Sequence, residues 1–175
     1  SAVHSGLSVV CVLCGQEPAA WPPLFGSLAD STSLRQFWGH FWQSFHRNAT
    51  VAHASLLTHD FLRIKRGSRL SRGLLTVLVF VMSGLMHSWC AKLQSRKCGA
   101  APVMLWYCLA AAGIVIEDCA QTAYEAVEAR LWKELKAPRM TTRHEVLGYI
   151  WVWVFFAWSL PKMVYPNFAC ELTES

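Results

Sequence analysis

His87 is the side chain in this sequence best placed to do chemistry. It lies in the nineteen-residue run 73–91 (GLLTVLVFVMSGLMHSWCA), which holds no Asp, Glu, Lys or Arg. That is almost the length an α-helix needs to cross a bilayer. An ionisable group at membrane depth is costly to keep there, so it marks a functional site by default. Desolvation disfavours the charged imidazole and leaves a neutral ring able to take a proton near pH 7, which is what a general base requires. The purely structural alternative is a histidine hydrogen-bonded to a neighbouring helix or snorkelling to a headgroup. Spacing favours the first reading: Thr76, Phe80, Ser83 and His87 recur at intervals of four, three and four and share one face, while Leu75, Leu78, Val79 and Met82 point elsewhere. The polar stripe is therefore expected to face protein or a cavity.

Metal chemistry has little support. Seven cysteines are present, and only Cys11 and Cys14 approach a metal-binding spacing, in an apolar run with no second pair or histidine cluster. They are read as buried apolar thiols in preference to metal ligands or disulfide partners, and no metal site is expected.

The elements that must hold His87 are membrane helices. Hydrophobic residues make up 54% of the 175 and charged residues 15%, against about 25% charged in an ordinary soluble domain. Nine tryptophans suit the lipid–water interface. Three uncharged segments, 73–91, 99–116 and 146–161, read as spans of a single all-α membrane domain covering 1–175. The apolar run 8–14 reads as the tail of another span. Between them, 117–138 alternates apolar Tyr124, Val127, Leu131, Trp132 and Leu135 with charged Glu125, Glu128, Lys133 and Lys136, an amphipathic helix expected to lie along the membrane or the protein's flank. Pro138 is expected to end it.

Basic residues flank the spans and do not form a domain of their own, so the net charge of +5 indicates a bilayer partner and not nucleic acid. Arg35, Arg47, Arg63, Lys65, Arg66, Arg69 and Arg72 precede the first span. Arg130, Lys133, Lys136, Arg139 and Arg143 follow the second. The loop between the first two spans carries only Lys92, Arg96 and Lys97. The positive-inside rule places the two richer segments in the cytosol and His87 toward the far end of its helix. The sequon at Asn48–Thr50 falls on the cytosolic side and is not expected to carry a glycan. With Ser at position 1 and no signal-peptide pattern, the chain reads as a fragment of a longer one.

A second stretch, 21–43 (WPPLFGSLADSTSLRQFWGHFWQ), complements the first. Pro22 and Pro23 preclude a helix, and the serines at 31–33 supply an N-cap for one starting at Leu34. Phe37, Trp38, Phe41 and Trp42 then form a wide aromatic surface, as in an interfacial or re-entrant helix.

PPLFGS followed by SLRQFWGHFWQ resembles the signature of the wax synthase branch of the membrane-bound O-acyltransferases, and SGLMH resembles that family's intramembrane histidine motif. EDCAQ at 117–121 and GYIWVWVFFAWSLPKMVYP at 148–166 are similar in order and spacing to the end of fungal members. The resemblance covers 21–166 and corresponds to the C-terminal half of the family's larger helical bundle. It implies acyl transfer from an acyl-CoA co-substrate, acetyl-CoA in the secondary-metabolism members, to the hydroxyl of a terpenoid, sterol or fatty alcohol, with no resident cofactor. The family habitually resides in the endoplasmic reticulum. His87 matches its catalytic base. Relatives carry a His or Asn directly after the final Trp, where this chain has Gln43, which keeps an amide donor but cannot move a proton as histidine does. His40 and His46, on either side, are candidates to compensate. The basic run 63–72 is read as the cytosolic flank of the first span, with coenzyme A phosphates as the alternative ligand. A non-catalytic remnant or partner subunit that keeps the family's helices is the alternative function.

Overall fold

The computed structural model describes residues 2–17, 25–42, 47–94, 99–135 and 141–174, and these form helices and connecting turns with no β-strand among them. Helix α1 is Ala2–Leu13. A short helix, α2 (Leu34–Gln36), runs directly into a π-helical turn at Phe37–Phe41. Helix α3 (Arg47–Ser55) likewise opens into a π-helical turn at Leu56–Phe61. Three long helices follow: α4 (Arg69–Gln94), α5 (Ala100–Leu135) and α6 (Thr141–Glu174). Each is long and apolar enough to cross a membrane.

The three spans are antiparallel neighbours. Gly99 at the head of α5 lies beside Ala91 on α4, while Gly84, closer to the middle of α4, lies against Met104 and Tyr107. Between α5 and α6, Gly113 meets Phe155, and further along Trp106 Nε1 donates to Ser159 Oγ at 3.3 Å. A side chain at Gly84 or Gly113 would overlap its neighbour, so glycine sets these close crossings, as small residues commonly do between membrane helices. The core collects Leu34, Phe80, Trp106, Tyr107, Ala110, Ala111, Ile114, Val152, Phe155 and Phe156. On α5 these fall at 106, 107, 110, 111 and 114, one helical face. The outward residues Leu85, Trp89, Leu105, Ile116, Trp153, Val154 and Trp158 are exposed, as helices require when hydrocarbon is their solvent.

Several boundaries differ from the sequence expectation. The amphipathic stretch after Glu117 is not a separate helix lying on the membrane. It continues the second span without a break, so α5 has 36 residues and is about 54 Å long, against about 30 Å of hydrocarbon. Its helix-forming composition offers no reason to stop, and it is described as helix to Leu135. The third span does not end at Pro161, because α6 passes through Pro161 and Pro166, a placement membrane helices tolerate where neighbours satisfy the freed backbone. Nor are the cysteines uniformly buried thiols. Cys14, Cys90, Cys108 and Cys119 are exposed, and Cys170 is disulfide-bonded. An apolar thiol is at ease on a lipid-facing surface, so hydrophobic character alone does not imply burial in a membrane protein.

Candidate functional site

The segment that precedes α2 determines how the aromatic helix meets the spans. Ser33 caps α2 by accepting from Gln36 N at 3.0 Å, and Gln36 reaches back to Thr32 N at 3.0 Å and Thr32 Oγ1 at 2.6 Å. This is a capping box displaced by one residue, since Gln36 accepts from Thr32 and not from the N–H of the N-cap Ser33. Tyr149 on α6 donates its hydroxyl to the carbonyl of Leu28 at 2.6 Å, tying the same segment to the third span. Gly26 N donates to Phe41 O at 3.0 Å, so close that a Cβ on Gly26 would collide with the His40 carbonyl.

Two of the aromatic side chains of 34–42 turn into the bundle and not toward the interface. Phe37 lies 4.4 Å from Phe156, and Trp38 packs edge-on to Phe80 and Trp106, each at 5.3 Å between centroids. Trp42 completes the cluster against Phe25, Phe37 and Trp38. Membrane helices associate through van der Waals packing, and these flat rings fill the gap between α4, α5 and α6.

Between this segment and α4 lies a cavity of about 390 Å³. The expected stripe of Thr76, Phe80, Ser83 and His87 lines it in full, and Leu75 and Val79, expected to point away, line it too. The cavity is wider than a single row of side chains and therefore takes in the flanking positions of α4. Trp38, His40 and Trp42 form the facing wall, and Arg47, Thr50 and Val51 come from α3. Arg47 and Arg72 supply positive charge, while the guanidinium of the third lining arginine, Arg35, is paired with Asp118. Arg72 and His87 are fifteen residues apart on one helix, about 22 Å, so the cavity joins a cationic region near the N-terminal end of α4 to the imidazole of His87 in its C-terminal half.

The His87 ring is held from two sides. Its Nδ1 lies 2.8 Å from the Ser83 carbonyl, and its face stacks on Tyr107 at 4.9 Å. A carbonyl only accepts, so Nδ1 is the protonated nitrogen and the lone pair resides on Nε2. His87 is half-buried and His40 exposed. The sequence-derived candidates His87 and His40 thus share one cavity, whereas Gln43 and His46 lie outside the described residues. Thr50 of the sequon is buried in α3 and donates to the Arg47 carbonyl at 3.0 Å.

Tyr107, Trp38, Arg35 and Arg47 are site residues that the sequence reading does not reach, whereas Arg72 falls in the basic run 63–72, for which coenzyme A phosphates are the alternative ligand. The Tyr107–Ala110–Ala111–Ile114 stripe, which continues to Glu117, was the available signal for Tyr107, since a polar ring on a buried small-residue face has few places to point.

A bundle of three helices able to cross a membrane is what a membrane-bound family requires. The Membrane bound O-acyl transferase family matches residues 21–109, which include both cavity walls, and the chain belongs to that family. It is similar to acetyltransferase aurG of Calcarisporium arbuscula, 32% identical over 94% of this chain and 38% of the relative. Acetyltransferase TRI7 of Fusarium sporotrichioides is 30% identical over 94% and 38%, and acetyltransferase ataH of Aspergillus terreus 35% over 93% and 52%. The chain therefore spans between about a third and a half of the length of these relatives. No solved structure matches it.

Proposed function

We propose that this chain forms the histidine-bearing part of an integral membrane O-acyltransferase that moves an acetyl group from acetyl-CoA to the hydroxyl of a lipophilic alcohol, such as a terpenoid, sterol or fatty alcohol. The observation that carries the reading is a single cavity lined by His87 and by three arginines, together with family membership and relatives named acetyltransferases. Arg47 and Arg72, the two not paired with Asp118, suit the phosphates of coenzyme A. The 22 Å of helix between Arg72 and His87 leaves room for an extended arm that brings its thioester to the imidazole.

In this reaction the Nε2 lone pair of His87 takes the proton of the acceptor hydroxyl while its oxygen attacks the thioester carbonyl. The new C–O bond forms, the C–S bond breaks, and the imidazolium returns its proton to the departing thiolate. The Ser83 carbonyl steadies the imidazolium by accepting from Nδ1. His40 on the opposite wall and the amide of Gln43 are proposed to serve the developing oxyanion. An endoplasmic reticulum site and a role in secondary-metabolite biosynthesis complete the proposal.

The test compares wild type with His87→Ala in microsomes given labelled acetyl-CoA and a panel of terpene, sterol and fatty alcohols. Labelled ester from wild type only is the expected result. Equal ester formation in both would remove His87 from catalysis.

A further inference from the structure

We propose that Glu117 is a positioning residue for this site, holding the His40-bearing helix in register against His87; the inference rests on the acyltransferase reading above. Glu117 sits on α5 and is only 7% exposed. Its Oε2 accepts from the backbone N–H of Leu34 at 2.9 Å, and its Oε1 lies 3.5 Å from that of Arg35. These belong to the first turn of α2, where N–H groups have no partner within the helix. The carboxylate therefore caps α2 from another helix, 83 residues later in the chain. Oε2 also accepts from Trp151 Nε1 at 2.9 Å, so one carboxylate joins α2, α5 and α6.

Asp118 complements it. It pairs with the Arg35 guanidinium, whose Nη2 also donates to Thr76 Oγ1 on α4 at 3.2 Å. Glu117 thus fixes the main chain at the head of the helix, and Asp118 fixes the side chain that crosses to the histidine-bearing span.

The segment depends on such help. Eight residues from Leu34 to Phe41 are too few for a stable isolated helix, and the π-helical turn within them makes poorer use of the backbone. Trp38 lies one turn beyond Leu34 and His40 shortly after it. A shift at the capped end therefore moves the cavity wall relative to His87, and a misplacement of about 1 Å costs catalysis on the order of a hundredfold. Glu117 itself is absent from the cavity lining, so it acts through the helix and not on substrate.

The test uses full-length protein in nanodiscs, as wild type, Glu117→Gln, Glu117→Leu and His87→Ala. Amide exchange over the peptide spanning 34–41 is followed by mass spectrometry, and kcat and KM for acetyl-CoA are measured in parallel. Glutamine keeps an acceptor of the same reach and is expected to retain slow exchange and most of kcat. Leucine is expected to speed exchange across 34–41 by at least about tenfold and lower kcat by about a hundredfold, with exchange in the α4 peptide containing His87 unchanged. If Glu117→Leu does not accumulate, Glu117→Asp, one methylene shorter, takes its place with the same expectation. Wild-type exchange over 34–41, or a loss spread evenly over α4, α5 and α6, overturns the proposal. Its failure is distinct from failure of the acyltransferase reading: a wild type that transfers no acetyl overturns that reading, and with it the positioning of Glu117 for catalysis, whatever the exchange data show.

Discussion

The imidazole of His87 stacks on the phenol of Tyr107 with 4.9 Å between ring centroids and 30° between their planes. The contact exists because Gly84, one turn before His87, lets α5 approach until Tyr107 Cβ lies 2.9 Å from where a Gly84 Cβ would stand. With the Ser83 carbonyl fixing Nδ1, ring and tautomer are both set by neighbours.

Tyr107→Phe is expected to keep the stacked ring and at least half of the transfer activity. Tyr107→Ala leaves a void beside His87 and is expected to cost about 3 kcal/mol of stability and to lower kcat by about a hundredfold. Thermal unfolding in detergent and labelled acetyl transfer check the two effects separately.

Gly84→Val forces Met104 and Tyr107 aside. The expected cost is about 1–3 kcal/mol from overpacking, with activity falling further than stability because the displaced partner is the ring against His87. A variant matching wild type in unfolding temperature and kcat would show that α4 and α5 can separate without consequence.

Gly26→Ala places a methyl group where the His40 carbonyl stands. Backbone cannot swing aside as a flexible side chain can, so the Gly26 to Phe41 hydrogen bond is expected to break, with a loss of about 2 kcal/mol. Faster amide exchange confined to 37–42 would be its signature.

Arg72→Gln is expected to raise KM for acetyl-CoA by about tenfold, equivalent to about 1.4 kcal/mol, with kcat little changed, since phosphate binding is shared by ground and transition states. Arg72 is exposed, so the difference from wild type should shrink as salt rises. A lower kcat at unchanged KM would assign Arg72 another role.

Much of the architecture is legible in the sequence because the bilayer is a strict solvent. Long uncharged runs must be helices there, and that constraint alone gives three spans, their centres, and the face shared by Thr76, Phe80, Ser83 and His87. Helix ends were less legible. Pro161 is a stop signal for a helix in water and the charges after Glu117 mark the end of a hydrocarbon span, but neither interrupts a helix whose neighbours and composition support its continuation.

Local patterning therefore determined that a histidine would lie within an apolar span with its polar face inward, and that residues 31–33 would begin an aromatic helix at Leu34. Only the tertiary structure decided what that face meets. The stacking of Tyr107 on His87, the entry of Phe37 and Trp38 into the core, and the capture of the Leu34 and Arg35 N–H groups by Glu117 join residues from 20 to 119 positions apart. Periodicity gives the face of one helix, whereas such contacts depend on how closely two helices approach, and here glycines at 84 and 113 and one buried carboxylate set that distance.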